Sequence, residues 1–186
     1  SHADALGSSA AGTTIATGAE LRLTGGIILS SEAITLNGQG VSAAGALRSS
    51  AGSNTVSSAI TLASAARINS DAATLILSGG VSSTDQGMTI GGAGNVTVST
   101  IGLSLGTGGL TKDGLGILTL TRANSFTGAT LISAGTLTAA SGALAGTSGI
   151  TVNGATLTAV NVNAAATLTL NATGLATISA VGQTVG

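Results

Sequence analysis

Residues 108–137 read GGLTKDGLGILTLTRANSFTGATLISAGTL, and the way this stretch continues decides the fold. Inside it Leu118-Thr119-Leu120-Thr121 alternates apolar and polar side chains. On an extended strand the leucines then share one face and the threonines the other. Leu118 recurs as Leu137, 19 residues on, and again as Leu157, 20 further. Between the strand-like runs stand Gly, Asn, Ser and Asp, the residues that turn a chain. Short strands and turns that recur every 18–20 residues describe a coil stacked on its own copies.

The same alternation runs along the rest of the chain. It appears at Glu20-Leu21-Arg22-Leu23-Thr24, Ala33-Ile34-Thr35-Leu36-Asn37, Thr74-Leu75-Ile76-Leu77-Ser78, Val96-Thr97-Val98-Ser99 and Thr167-Leu168-Thr169-Leu170-Asn171. No stretch sustains a helical period. Residues 21–40 align without a gap on residues 75–94, so that Gly25-Gly26 falls on Gly79-Gly80, an offset of 54 that would be three turns of 18. The fold expected is all-β: a right-handed, single-stranded parallel β-helix (β-solenoid) of about nine or ten coils. At about 4.8 Å per coil that is a rod about 45 Å long. A β-sandwich also spaces short strands closely, but its two-layer core wants aromatic rings and nothing in it generates the long period.

Composition agrees. The chain has 186 residues, 30 of them Gly, no Pro, no Cys and a single aromatic residue, Phe126. Charged residues make up 6%, against roughly 25% in an ordinary domain. Small aliphatic side chains suit a thin core of stacked layers, and missing proline suits strands with neighbours on both sides. A mean hydropathy of +0.59 and a net charge of −1 argue against disorder. No run is long and apolar enough for a membrane-spanning helix, and there is no Trp or Tyr for the girdles of a membrane barrel. Balanced charge offers nothing to nucleic acid. Ser1-His2 stands where a starting Met would be and no signal peptide opens the chain, so residues 1–186 are expected to be one solenoid segment excised from a longer protein.

The stretch at 108–137 resembles the autotransporter-associated β-strand repeat, also called the passenger-associated transport repeat. The matching positions are Leu110, Lys112, Gly114, Gly116, Leu118, Leu120, Asn124, Phe126, Gly128, Thr130, Gly135, Thr136 and Leu137. Phe126 stands where the family more often has Tyr, and Arg122 stands near a usual Gly, which calls the tight turn there into question. The resemblance implies a structural stalk segment of a bacterial autotransporter passenger, of type V secretion, displayed on the cell surface or secreted. It implies a role in export and in adhesion or self-association. Partners would be other copies, through end coils or solenoid faces, and host or surface glycans.

Chemistry-bearing residues are few. The only His, His2, is terminal, so no Ser-His-Asp triad can form. Lys112 could activate a serine but sits at a motif position, which favours a structural role. The carboxylates are Asp4, Glu20, Glu32, Asp71, Asp85 and Asp113. Asp71 and Asp85, 14 residues apart, are the one pair placed to share neighbouring coils as a polysaccharide hydrolase would need. The eleven charges run from Asp4 to Arg122, and this spread argues against three of them meeting in one groove. Residues 91–96 begin like a calcium-binding nonapeptide, but Val96 occupies the place of the required Asp. Asn95 and Asn171 head glycosylation sequons by pattern only. No catalytic, cofactor or metal residue is assigned, and an enzyme is not expected.

Two further readings concern surfaces and core. Thr119/Thr121, Thr136/Thr138, Thr156/Thr158 and Thr167/Thr169 read Thr-x-Thr, as flat ice-binding ladders do. Their uneven spacing implies that a ladder would step sideways, and threonine is in any case a good strand residue. Phe126 is expected in the core near a coil corner, with Asn124 bonding backbone at the turn. Nothing at 174–186 reads as a cap, so the end coils of an excised segment are expected to stack on other copies or to be poorly ordered.

Overall fold

A computed structural model describes residues 6, 11–30, 32–162 and 165–179. Among them are 21 strands, one 3-10 turn at Val41–Ala43 and no α-helix. Every strand pairing is parallel. The chain visits three walls in turn and climbs one coil per circuit. The first wall holds Thr13–Ile15, Ile34–Gly38, the start of Ile60–Ser70, Val81–Ser82, Leu103–Gly106 and Ser125–Phe126. The second holds Leu21–Thr24, Leu47–Ala51, the end of Ile60–Ser70, Met88–Gly91, Leu110–Lys112, Thr130–Ile132, Gly149–Asn153 and Thr167–Asn171. The third is an 8-stranded sheet running from Ile28–Leu29 to Leu175–Ser179. Because the 11-residue strand Ile60–Ser70 passes through a corner without breaking, the first two walls join into one 13-stranded sheet.

The stack is a β-solenoid of about eight turns, close to the nine or ten expected. The 18–20 period holds in the later coils, where Leu118, Leu137 and Leu157 lie one above another as the sequence reading required. Earlier coils are longer. Leu75 lies under Val96, 21 positions on, and Val96 under Leu118, 22 on. Leu21 pairs with Leu47, 26 on, and Ile28 with Thr55, 27 on. The excess comes from an outward excursion at 39–45, closed by the Gly40–Gly45 bridge and by the Gly45 N–H donating to the Gln39 carbonyl at 2.8 Å. Thr13 and Ile34, an interval free of that excursion, are 21 apart.

The offset of 54 is therefore not three turns. Leu21 stacks on Leu47 and then Ile68 in the second wall, while Leu75 belongs to the third. Gly25-Gly26 rounds the corner from second wall to third, and Gly79-Gly80 the corner from third wall to first. Alternating leucines that run into paired glycines describe any corner of such a coil, so the likeness reports corner chemistry and not closure of a turn.

Inward side chains form continuous columns. In the third wall one column runs Leu75, Val96, Leu118, Leu137, Leu157, and all five are buried. It ends at Asn54, which is fully buried under Leu75. Asn54 Oδ1 accepts from the N–H groups of Gly26 and Ile27 at 3.1 and 2.9 Å, and its Nδ2 faces Ser49 Oγ and the carbonyls of Ala51 and Gly52. An amide can end an apolar column only because each of its polar atoms finds a partner.

Candidate functional site

The resembling stretch folds as one full coil and the first half of the next, so that Thr130 stacks on Leu110 and Leu137 on Leu118. Alternation puts Lys112 on the same face as Leu110, and that face is the inside. Lys112 occupies the second-wall column between Ile90 and Ile132, 2% exposed. Its Nζ donates to the carbonyls of Asp113 and Gly114, both at 2.7 Å, and of Ala134 at 3.3 Å. The three ammonium protons thus meet three acceptors, two in its own corner and one in the coil above. Burial pushes the amine down to about 8; Asp113 opposes that shift, and the Arg67 charge adds to it.

The glycines of the motif line the corner around this amine. Gly114 has φ +73°, and a Cβ there would stand 2.4 Å from the Gly92 nitrogen; at Gly116 it would stand 1.9 Å from the Gly94 carbonyl oxygen. Only glycine lets successive corners approach so closely. Phe126 is buried at 3% exposure beside Gly106 of the coil below, in the core near a corner as the sequence reading had it. Asn124 bonds backbone as expected, but in neighbouring coils: Leu103 N–H donates to its Oδ1 at 2.7 Å and its Nδ2 donates to the Ala143 carbonyl at 2.8 Å. Thr130 is buried with its hydroxyl 3.1 Å from that of Thr147. Arg122 turns the chain without positive φ, so no glycine is needed there; its Nε donates to the Ser99 carbonyl at 3.0 Å. Leu118, Leu120 and Leu137 are core, and Gly128 and Gly135 lie in corners packed on backbone of the coil below.

Charged side chains do meet, on the outer face of a wall and in opposite-charge pairs. Arg22, Arg48 and Asn69 lie in register on the outer face of the second wall, and an ionic edge forms along it. Glu20 pairs with Arg22 at 2.5 Å and with Arg48 at 3.5 Å. Arg48 holds Asp71 at 2.6 Å, and this contact raises the guanidinium pKa. Asn69 bridges Asp71 and Arg67 at 2.7 and 3.0 Å. Arg67 then forks onto Asp113 at 2.6 and 2.7 Å, across the bare backbone of Gly91 in the intervening coil. The sequence reading missed this edge because it assumed 18–20-residue coils; the true steps of 21–26 bring these positions into line. Each carboxylate is already committed to a cation, so the edge is a brace and not a groove with a free acid.

The Asp71–Asp85 pair does not form. Asp71 lies past the end of the second wall, while Asp85 lies in the turn that enters it. There Asp85 accepts from the N–H and hydroxyl of Thr107, which lower its pKa. Glu32 is buried and accepts from Thr13 Oγ1 at 2.5 Å. Within 91–96, Asn95 Oδ1 accepts from Ile117 N–H at 2.9 Å, which ties it to the next coil. Asp4, His2 and residues 180–186 lie outside the described residues. Among the described residues no group of acidic and histidine side chains could hold a metal, and no helix is long and apolar enough to cross a membrane.

Threonines do line up, shifted sideways. Thr119 stacks with Thr97, Thr138, Thr158 and Thr177, while Thr136 stacks with Thr156 between Ile117 and Leu175.

Residues 110–139 match the family described as passenger-associated-transport-repeat. No curated protein and no solved structure matches the chain. The matched stretch takes in the coil built around Lys112 and the first two strands of the coil above it, and repeat and β-solenoid together fit an autotransporter passenger segment.

Proposed function

We propose that this chain is a structural stalk segment of a secreted or surface-displayed bacterial autotransporter passenger. It serves export of the passenger and holds out a surface for adhesion or self-association, without enzymatic activity. One observation carries this reading. The motif side chains Leu110, Lys112, Leu118, Leu120, Phe126, Thr130 and Leu137 are all buried, so the repeat spends its specificity on closing and stacking a coil and presents none of it to a ligand. The pairing of the carboxylates along the second wall supports a non-catalytic role.

The test is display. Joined to a translocator barrel in a Gram-negative host, the intact segment should appear on the cell surface as protease-accessible rods. Replacing residues 110–139 with a scrambled sequence of equal composition should reduce surface display several-fold. Equal display of both would refute a role in export, and turnover of any polysaccharide by the purified chain would refute the non-catalytic reading.

A further inference from the structure

An asparagine or aspartate precedes glycine at three places, Asn37-Gly38, Asp113-Gly114 and Asn153-Gly154. Such a step can attack itself. The glycine amide nitrogen closes on the side-chain carbonyl carbon, and glycine has no Cβ to obstruct the approach. The fold treats the three steps differently. Asn37 and Gly38 are half-buried in the first wall. Asn37 Nδ2 donates to the Ile15 carbonyl of the coil below at 3.2 Å, and Gly38 N–H donates to Ser64 Oγ of the coil above at 3.1 Å. Both the group that would leave and the nitrogen that would attack are held. At Asp113 the carboxylate is forked onto Arg67, and Gly114 is wedged against Gly92 of the coil below. Asn153 and Gly154 stand exposed at the corner from the second wall to the third. Among the described residues the Asn153 side chain has no hydrogen bond. Gly154 has open space around it: an added Cβ would meet only Thr173 Oγ1, at 4.0 Å. Its N–H reaches the Asn171 carbonyl at 3.3 Å, and that oxygen also accepts from Gly174 N–H at 3.0 Å.

We propose that Asn153 is a site of spontaneous deamidation and that the fold confines this chemistry to it. Hydroxide takes the proton of Gly154 N–H, and the nitrogen attacks Asn153 Cγ. The new C–N bond forms, and the side-chain nitrogen leaves as ammonia with a proton from water, which restores the hydroxide. Water then opens the cyclic imide at either carbonyl, giving aspartate or its backbone-lengthened isomer, isoaspartate. Nothing is oxidised or reduced. Asn153 lies at the end of the second wall, two coils above Asp113. The carboxylate formed there meets no free cation. Arg67 is committed to Asp113, the protons of Lys112 are committed to carbonyls, and no Lys or Arg follows Arg122 in the chain. The product therefore carries one more exposed negative charge, and the isomer adds an atom to the backbone of the corner that leads into Thr156–Val160.

The experiment incubates the whole chain in mildly alkaline buffer, both folded and unfolded in guanidinium chloride. Peptide mapping by mass spectrometry and enzymatic methylation of isoaspartate are the readouts. In the folded chain Asn153 should convert about tenfold or more faster than Asn37, the difference that a local opening cost of about 1.4 kcal/mol imposes. Asp113 should give no isoaspartate over the same time. In the unfolded chain Asn37 should convert as fast as Asn153. The folded chain should gain an acidic band on isoelectric focusing, and Asn153→Gln, which keeps an amide but sets it one carbon further from the Gly154 nitrogen, should not gain it. Equal rates at Asn37 and Asn153 in the folded chain, an Asn153 that keeps its amide while the unfolded chain converts, an Asn37 as slow unfolded as folded, isoaspartate at Asp113, or an acidic band that survives Asn153→Gln would each overturn the proposal.

Discussion

Lys112 allows an unusually clean titration. It is the only lysine, and the chain has no tyrosine and no cysteine. Apart from the terminal amine, nothing else changes charge between pH 8 and 11. Burial lowers the amine from 10.5 to about 8 in the folded chain. The sign follows from proton binding: between these values the unfolded chain holds the proton and the folded chain does not. Stability therefore rises with pH across the window, and below pH 8 the full cost of burying the ammonium is present. A shift of this size corresponds to about 3 kcal/mol. Urea melts at pH 7 and pH 10.5 should show the folded chain gaining about 2–3 kcal/mol, while Lys112→Met, which fills the column without a charge, should show almost no gain. Equal pH dependence in wild type and variant would mean that the ammonium is solvated, and the account of this coil would fall with it.

Other perturbations follow from the same geometry. Phe126→Ala should cost about 3–5 kcal/mol in denaturant melts and could split the transition, because the damage is confined to neighbouring coils; a loss below about 1 kcal/mol would place the ring in solvent. Gly114→Ala puts a Cβ against Gly92 at positive φ and should cost at least about 2 kcal/mol in the same assay. A double-mutant cycle on Arg67→Met and Asp113→Asn should give a coupling of about 1–2 kcal/mol, since the contact is bidentate and only partly exposed; a value near zero would make the contact incidental. The third-wall threonines should give no thermal hysteresis at millimolar protein, because Ile117 and Leu175 interrupt the second column; measurable hysteresis would make that wall an ice-binding face.

How much could be read in advance depended on which distances mattered. Alternation of period two is local, so the inward set from Leu23 to Leu157 was legible, and so was the burial of Phe126 among small aliphatics. The steps from Leu118 to Leu137 to Leu157 gave the coil directly. Register earlier in the chain was not legible, because the excursion at 39–45 lengthens its coil and the repeated Gly-Gly corners mimic a period that does not exist. That error hid the ionic edge, whose members meet only at the true steps. The inside position of Lys112 follows from its alternation with Leu110, but the acceptors that allow a buried ammonium, the carbonyls of Asp113, Gly114 and Ala134, come together only in the folded corner.

The fork from Arg67 to Asp113 passes over an entire turn. In a stack where each turn touches only the next, rupture under load proceeds as peeling, one layer per event. A link between layers two apart changes that arithmetic: the middle layer, the one bearing Gly91, cannot leave while its neighbours remain joined. Force applied along the rod should therefore meet a resistant block of three layers, and extension traces should show one long step there among shorter ones.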